Sequence, residues 1–435
     1  MGEWSQKTIC DLYRLRARIG WQGLKAHEFL DDGPYLITGT NFHDGKISWD
    51  ECYHISESRY NQDTGIQIHE NDLLITKDGT IGKTAVATNC PPQAALNSGV
   101  FVLHQLNREL DSKYLYYVLN SHVFELFMRN ILTGSTIKHL NQEHFYKFSF
   151  TYPKQKAEQE KIAQILATVD EVIGKTKAII EKYKAIKEGL MQDLLVNGID
   201  ENGVIRSPKT HKYKDSPLGK IPVEWECVPF ETVIEKLYDY RGRTPKKLGM
   251  EWGGDIPALS ASNVCMGEID FNKQTNFGSE KLYRKWMSQG DIHKDYIAFT
   301  MEAPLGNVAL VPEERKYILS QRTIVFNCKQ DICKNRYLYY YLASDSFQSY
   351  LQKYNSGTTA KGIQRKQLYK MFIVYPSKTR EQEDIYRALE HIDSCLANAK
   401  KHLIKHQAIK TGLMQDLLTH KVSVDPLLER SVENE

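Results

Sequence analysis

Residues 158–199 (EQEKIAQILATVDEVIGKTKAIIEKYKAIKEGLMQDLLVNGI) return 223 positions later as residues 381–422 (EQEDIYRALEHIDSCLANAKKHLIKHQAIKTGLMQDLLTHKV), without a gap and with 18 of 42 positions identical. A period of half the chain is too long for a solenoid unit, so the repeat reports a duplicated module. Each copy carries a helix of about forty residues, a rod of roughly 60 Å at 1.5 Å per residue. A helix that long is not held by propensity alone and needs a partner. In the first copy Ile162, Ile165, Val169, Val172, Thr176, Ile179, Tyr183, Ile186 and Leu190 step alternately by 3 and 4, the seam of a coiled coil; Leu166, Ile173 and Ile180 widen the stripe. The second copy offers Ile385, Leu389, Ile392, Leu396, Ala399 and Leu403, with His402 and His406 on the seam side. The simplest closure makes the two helices antiparallel partners about a pseudo-two-fold axis.

Each helix follows a globular stretch. Residues 1–155 read as a mixed α/β domain, with strand-like runs Pro34–Thr38, Asp72–Thr76 and Gly99–His104 bounded by Gly, Asn and Asp. Lys113–Asn130 has the period and length of one helix. A short helix over Asn141–Lys147 and a strand Phe148–Tyr152, stopped by Pro153, complete the domain. The first long helix covers 156–196, and residues 197–222, with Asn-Gly, Ser-Pro, Leu-Gly and Ile-Pro steps, read as a linker. Residues 223–378 repeat the first domain's plan: Arg336–Ser344 matches Lys113–Ser121, Ser356–Lys370 matches Thr133–Lys147, and Tyr375-Pro376 matches Tyr152-Pro153. The second long helix covers 379–419, and 420–435 form a tail. The fold class is therefore α+β: two similar mixed α/β domains separated by two long antiparallel coiled-coil helices. Two diverged domains on a rigid spacer suit an asymmetric, bipartite target, as two-fold DNA-binding proteins suit paired half-sites.

A net charge of +3 over 435 residues permits nucleic acid as a partner without arguing for it, because local clustering is what counts. The eight cysteines form no C-x-x-C pair and none stands beside histidines at zinc spacing, which argues against a disulfide framework or structural zinc and suits a reducing cytoplasm. No leader-like apolar region opens the sequence, and no apolar run is long enough to span a membrane.

Tyr152-Pro153, Glu158-Gln159-Glu160 and Gly189–Leu195 (GLMQDLL), then Tyr375-Pro376, Glu381-Gln382-Glu383 and Gly412–Leu418, occur in one order in both copies. In this they closely resemble the specificity (S) subunits of type I restriction–modification systems. HKYKDSPLGKIPVEWE (211–226) and Glu302–Gly306 (EAPLG) resemble that family too, although the first domain opens at Glu3-Trp4 without the LGKIPVEW lead of the second. The resemblance implies two target recognition domains, each reading one half of a split site in double-stranded DNA. It implies helices that act as spacer and as docking surface for two methylase (M) subunits. Those subunits would use S-adenosylmethionine to methylate adenine, and restriction (R) subunits would join to cut; this chain would hold no cofactor, no metal and no catalytic residue. GLMQDLL, repeated at both rod ends, is the first candidate for partner docking. The rival readings are a stand-alone DNA methyltransferase or nuclease, which the missing cofactor and metal motifs disfavour, and a coiled-coil scaffold that binds no DNA.

Candidate DNA contacts fall at matching places in the two halves. Arg14, Arg16, Arg18, Trp21, Gln22 and Lys25 set cations around an aromatic and an amide, and Tyr240, Arg241, Arg243, Lys246 and Lys247 do so around Gly242 and Pro245. Arginine's fork pairs bidentately with phosphate and guanine edges; the plainer reading is a solvated basic face. Ser135, Thr136 and Lys138, and in the second half Thr358, Thr359 and Lys361, precede short helices, with Arg365 just beyond. Such groups suit a DNA phosphate or a simple helix cap. Thr40-Asn41 and Ser262-Asn263 follow strands and would reach base edges. Asp78–Thr84 (DGTIGKT) looks like the end of a phosphate loop but has Lys77 where the motif needs glycine. Lys77 and Lys83 are therefore read on a tight turn between strands, or touching DNA backbone, rather than nucleotide. Asn89-Cys90-Pro91-Pro92 has the wrong register for the adenine clamp of methyltransferases and reads as a turn.

Overall fold

A computed structural model describes residues 3–19, 23–132, 139–354 and 362–432. It divides into two compact units, one formed by Met1–Ala178 with Lys401–Glu435 and the other by Ile179–Lys400.

In the first unit a six-stranded sheet runs in the order Tyr13–Arg16, Val100–Gln105, Leu73–Thr76, Thr84–Val86, Lys46–Ile47, Phe42–His43. Its central strands are apolar without alternation because both faces are covered. Leu73, Ile75, Phe101 and Leu103 enter a core shared with the helices Ser112–Leu119 and Gln142–Tyr146. Leu74, Val100 and Val102 point the other way, into a core with Ile37, Phe42 and Leu96. A three-stranded sheet of Tyr53–His54, Leu30–Ile37 and Ala94–Leu96 contributes to that second core. Trp4–Thr8 pairs antiparallel with Ser149–Pro153, Trp4 opposite Pro153.

The second unit repeats this plan. A four-stranded sheet runs Ile234–Tyr238, Thr323–Cys328, Ile297–Met301, Leu305–Leu310. Ile297, Phe299, Ile324 and Phe326 share a core with the helix Asn335–Ala343, while Ala298 and Val325 face Leu259 and Trp286. Trp225–Pro229 pairs antiparallel with Phe372–Pro376, Trp225 opposite Pro376.

The single helix expected over Lys113–Asn130 is two, Ser112–Leu119 and His122–Leu132. Ser121 Oγ donates to the Val118 carbonyl at 2.7 Å, a local bond that competes with helix continuation. The second unit breaks at the same place: Ser344 Oγ donates to the Tyr341 carbonyl (2.7 Å) and accepts from the Phe347 N–H (3.3 Å).

The long helices are Lys156–Val196 and Thr379–Leu418. Within the first unit Asp170 meets Lys410 at 2.6 Å and Thr176 Oγ1 meets His406 Nδ1 at 3.4 Å. One index rises as the other falls, so the segments there are antiparallel. Within the second unit Lys187 meets Asp393 at 2.6 Å. One expected track of the seam holds, with Ile162 and Thr176 buried, and the other is exchanged for the neighbouring track that was expected to widen the stripe. Leu166, Ile173 and Ile180 are buried, whereas Val172, Ile179 and Ile186 are exposed at 38%, 47% and 36%. Adjacent tracks of an apolar stripe both step by 3 and 4, and only packing decides which becomes the seam.

GLMQDLL also differs from expectation. Leu194 and Leu195 are buried in the second unit's core with Trp225, and Leu417 and Leu418 are buried in the first unit's core. These leucines seal domain ends and are not a free docking surface. Residues 197–222 are folded: Tyr213–Ser216 and Gly219–Pro222 form an antiparallel hairpin, and Ile199 bridges Ile205. Arg206 enters the second unit to pair with Glu381 at 2.5 and 3.1 Å, and Trp225 Nε1 donates to the same carboxylate at 3.0 Å. Gly198 (φ +64°) passes that cluster so closely that a Cβ would lie 2.4 Å from Glu381 Oε1. No helix among the described residues is long and apolar enough to cross a membrane.

Candidate nucleic-acid interface

In the first unit the turn between Leu73–Thr76 and Thr84–Val86 is held by Thr76 Oγ1, which accepts from the Lys83 N–H at 2.9 Å. Gly79 and Gly82 take φ of +68° and +83°, which glycine adopts without strain. In the second unit Thr300 Oγ1 accepts from the Asn307 N–H at 2.9 Å, with Ala303 and Gly306 at positive φ. DGTIGK is thus a strand-to-strand turn, with EAPLGN as its counterpart. Each turn is tied to the segment entering a short helix: Leu140 N–H donates to the Lys77 carbonyl, and Ile363 N–H to the Met301 carbonyl, both at 3.0 Å.

A corner of the same design results in each unit. In the first, Arg18, Lys77, Asp78, His139 and Gln142 line a cavity of about 400 Å³, with His139 Nδ1 paired to Asp78 and Lys77 Nζ 5.4 Å above the Phe101 ring. In the second, Arg241 holds Asp239 with Nε–Oδ1 at 2.8 Å and Nη2–Oδ2 at 2.6 Å. Burial pushes the Asp239 carboxyl up, but the hydrogen bonds and charge of Arg241, with Arg365 adding, outweigh it and hold the group below its usual range. The hydrogen bonds and charge of Asp239 favour the Arg241 cation in turn, with Glu302, itself paired to Arg322 at 3.4 Å, adding least. Arg18, Asp78 and Gln142 of one corner therefore correspond to Arg241, Glu302 and Arg365 of the other.

The remaining candidates are placed as follows. Arg14 and Arg16 are exposed on the edge strand Tyr13–Arg16, and Lys25 and Thr40 are exposed. Arg18 is 1% exposed: Nε donates to the Leu96 carbonyl at 2.9 Å, while Nη1 and Nη2 have no partner. It is an interior arginine, and the expectation of a surface cation is corrected. Lys83 is half-buried. Tyr240 is buried, its hydroxyl accepting from the Gln289 N–H at 2.8 Å, with Arg243 stacked 4.8 Å from its ring. Arg243 also donates to the Trp286 carbonyl and to Ser288 Oγ. Lys246 and Lys247 are exposed, Lys247 Nζ reaching the Gly242 carbonyl at 2.7 Å. Arg365 is exposed and stacked 5.0 Å from the Tyr369 ring, where the two line a cleft with Lys366, Lys370 and Glu231. Trp21, Gln22, Ser135, Thr136, Lys138, Thr358, Thr359 and Lys361 lie outside the described residues.

Asn41 and Asn263 have another job. Asn41 is buried, Oδ1 accepting from the Thr38 N–H (2.8 Å) and Nδ2 donating to the Glu51 carbonyl (2.9 Å). Asn263 is fully buried, Oδ1 accepting from the Ser260 N–H (2.9 Å) and Nδ2 donating to the Ala258 carbonyl (2.8 Å). Both amides are spent on the same turn, which leaves Thr40 and Ser262 as its exposed residues. At the corners, sequence reasoning passed over Asp78, His139, Gln142 and Glu302. The 223-residue offset carries the signal that finds three of them, because each faces a polar or charged partner one period away or one residue beyond it.

The family model described as "Type I restriction modification DNA specificity domain" matches residues 1–185 and 222–406. The chain is 28% identical to the type I restriction enzyme MjaVIII specificity subunit of Methanocaldococcus jannaschii, over 83% of this chain and 81% of that protein. It is 24% identical to a putative MjaX specificity subunit of the same organism, over 97% and 94%. It is 22% identical to the EcoBI specificity subunit of Escherichia coli, over 81% and 73%. Among solved structures, the S subunit of a type I system from M. genitalium shares the fold with a TM-score of 0.59 at 16% identity, 96% of each chain being covered. A structure described under complex assembly and conformational transition of the type I system gives 0.52 at 14% identity, over 96% and 97%.

Proposed function

The chain belongs to the type I restriction–modification DNA specificity family, and on that premise we propose that it is the non-catalytic, sequence-reading subunit of such a complex. Each unit supplies one domain that reads one half of an asymmetric, bipartite DNA site. Methylase and restriction subunits supply the chemistry, two methylase copies matching the two-fold pattern of the repeat. One observation supports this reading above the rest: the same corner of strand end, turn and short helix occurs in both units, lined by different residues. Phosphate contacts position a protein on DNA while base contacts specify, so one framework with different side chains is what two readers of different words require. Arg14, Arg16, Lys25 and Lys77 in the first unit, and Arg241, Arg243, Lys246, Lys247 and Arg365 in the second, are the contacts proposed from described residues.

The test is selection from a pool of random duplexes by the full chain purified with its methylase subunits. Two short fixed words separated by a fixed number of unspecified base pairs are the expected product. A single unbroken word, or no enrichment, overturns the proposal.

A further inference from the structure

Tyr117, Asp170 and Lys410 meet in the first unit. Tyr117 Oη donates to Asp170 Oδ2 at 3.0 Å, Lys410 Nζ pairs with Asp170 Oδ1 at 2.6 Å, and Lys410 Nζ stands 5.7 Å from the Tyr117 ring centre. Tyr340, Asp393 and Lys187 meet in the second: Oη to Oδ2 at 2.8 Å, Nζ to Oδ1 at 2.6 Å, and Nζ 5.8 Å from the ring. Each residue of one set lies 223 positions from its counterpart in the other. The geometry recurs to within about 0.2 Å although the surrounding domains have diverged widely.

The three residues come from three elements. The tyrosine is on the domain helix, Ser112–Leu119 or Asn335–Ala343; the aspartate is on the long helix that follows that domain; the lysine is on the other long helix. Other polar links behave differently. Gln159 and Gln382 tie each domain only to the helix that follows it. Arg336–Glu390 also ties the second domain to its own helix, but position 113 is a lysine and position 167 an alanine, so the first unit has no copy. A salt bridge a third exposed contributes little to stability by itself, so recurrence of this one points to geometry. Here the aspartate takes two donors from different directions while the lysine lies against the ring, and none of the three elements can pivot without breaking a contact.

We propose that Tyr117–Asp170–Lys410 and Tyr340–Asp393–Lys187 are positioning residues that lock each recognition domain to both long helices and thereby fix the number of base pairs between the two half-sites. This rests on the bipartite reading proposed above. The triads touch no DNA; they remove the play that would let one reader reach a half-site one base pair nearer or farther.

The experiment repeats the duplex selection with the full chain and its methylase subunits, comparing wild type with Lys187→Met, Asp393→Asn and Tyr340→Phe. Lys187→Arg serves as rescue, and Lys184→Met, whose ion pair is with Glu181 on its own helix, serves as control. The first two variants should leave both words unchanged but raise the share of sites with a spacer one base pair longer or shorter by roughly threefold or more, the scale of coupling lost when a contact network is opened. Tyr340→Phe deletes one oxygen, keeps the fold and should broaden the spacer less. Lys187→Arg should restore the narrow distribution, and Lys184→Met should never leave it. A wild-type spacer distribution in Lys187→Met and Asp393→Asn, or a change in the words themselves, overturns the assignment while leaving the bipartite reading standing. Failure of the wild-type protein to select any split motif overturns both.

Discussion

Gln382 is fully buried where the second long helix leaves its domain, and it uses every polar atom it has. Its Nε2 donates to the carbonyls of Ile332 and Pro376 at 2.8 Å each, and its Oε1 accepts from the Lys334 N–H at 2.8 Å. Replacing it by leucine keeps most of the volume and strands three backbone groups. A buried group left without its partner costs about 1–3 kcal/mol, so three cost roughly 3–9 kcal/mol, and leucine's extra apolar burial returns about 1 kcal/mol. Gln382→Leu should therefore destabilise the second unit by about 2–8 kcal/mol. Gln159 repeats the clasp in the first unit, with bonds to Pro153 and Glu109 carbonyls at 2.7 and 3.1 Å and from the Asp111 N–H at 2.7 Å. Urea unfolding of the full chain followed by tryptophan fluorescence provides the assay. The six tryptophans divide evenly, three before residue 178 and three between 179 and 400. A two-unit chain need not unfold in one step, so Gln159→Leu and Gln382→Leu should each lower its own transition. A loss below about 1 kcal/mol, the net value of one ordinary hydrogen bond, would refute the reasoning for both.

Glu158 is buried with Oε2 unpartnered, and burial, with the Asp425 charge adding, raises its carboxyl above the usual range. A raised folded-state pKa gives stability that is complete below the unfolded value of about 4.3 and is lost as pH rises through the folded value. Glu158→Gln should thus raise the first unit's unfolding midpoint at neutral pH and leave it unchanged in acid; an equal gain at both refutes the assignment. Arg365→Gln exchanges an exposed arginine for the residue type at its counterpart, Gln142. It should weaken binding and lower the slope of log K against log salt by about one, with no change in unfolding midpoint; an unchanged slope removes Arg365 from the interface. Inserting seven residues in register in both long helices adds about 10 Å, so the selected spacer should lengthen by about three base pairs at 3.4 Å each. An unchanged spacer would show that the helices do not measure it.

What the sequence made legible depended on how local the physics was. The 223-residue repeat, the long helices and the α+β architecture rest on periodicity and identity, which a one-dimensional string preserves. One of the two seam tracks was misplaced, Val172 for Ile173, because the two are equally apolar and only burial tells them apart. Asn41 and Asn263 were read as base-edge groups because an asparagine that clasps a turn and one that faces an adenine look alike until the Thr38 and Ser260 amides are in place. Residues 197–222 have linker composition, yet the glycines and prolines there shape a hairpin and deliver Arg206 to Glu381. The two triads were within reach, since their tyrosines, aspartates and lysines are identical across the offset. In the string alone these polar identities cannot be told from the apolar identities of the same repeat, because only packing brings the three elements together.

The first unit is made from both ends of the chain: Leu417, Leu418 and Val424 fill the same core as Leu12, Tyr114 and Leu166. Biosynthesis therefore completes the second unit before the first. At about 5–20 residues per second, the N-terminal portion waits on the order of tens of seconds for the residues that close its core. Over that interval its apolar surface is open to chaperones or to another nascent chain, and a ribosome that stops early releases a finished second unit beside an unfinished first. Frameshifts at Lys401 or shortly after it should accordingly abolish the reading of the half-site whose domain was translated first.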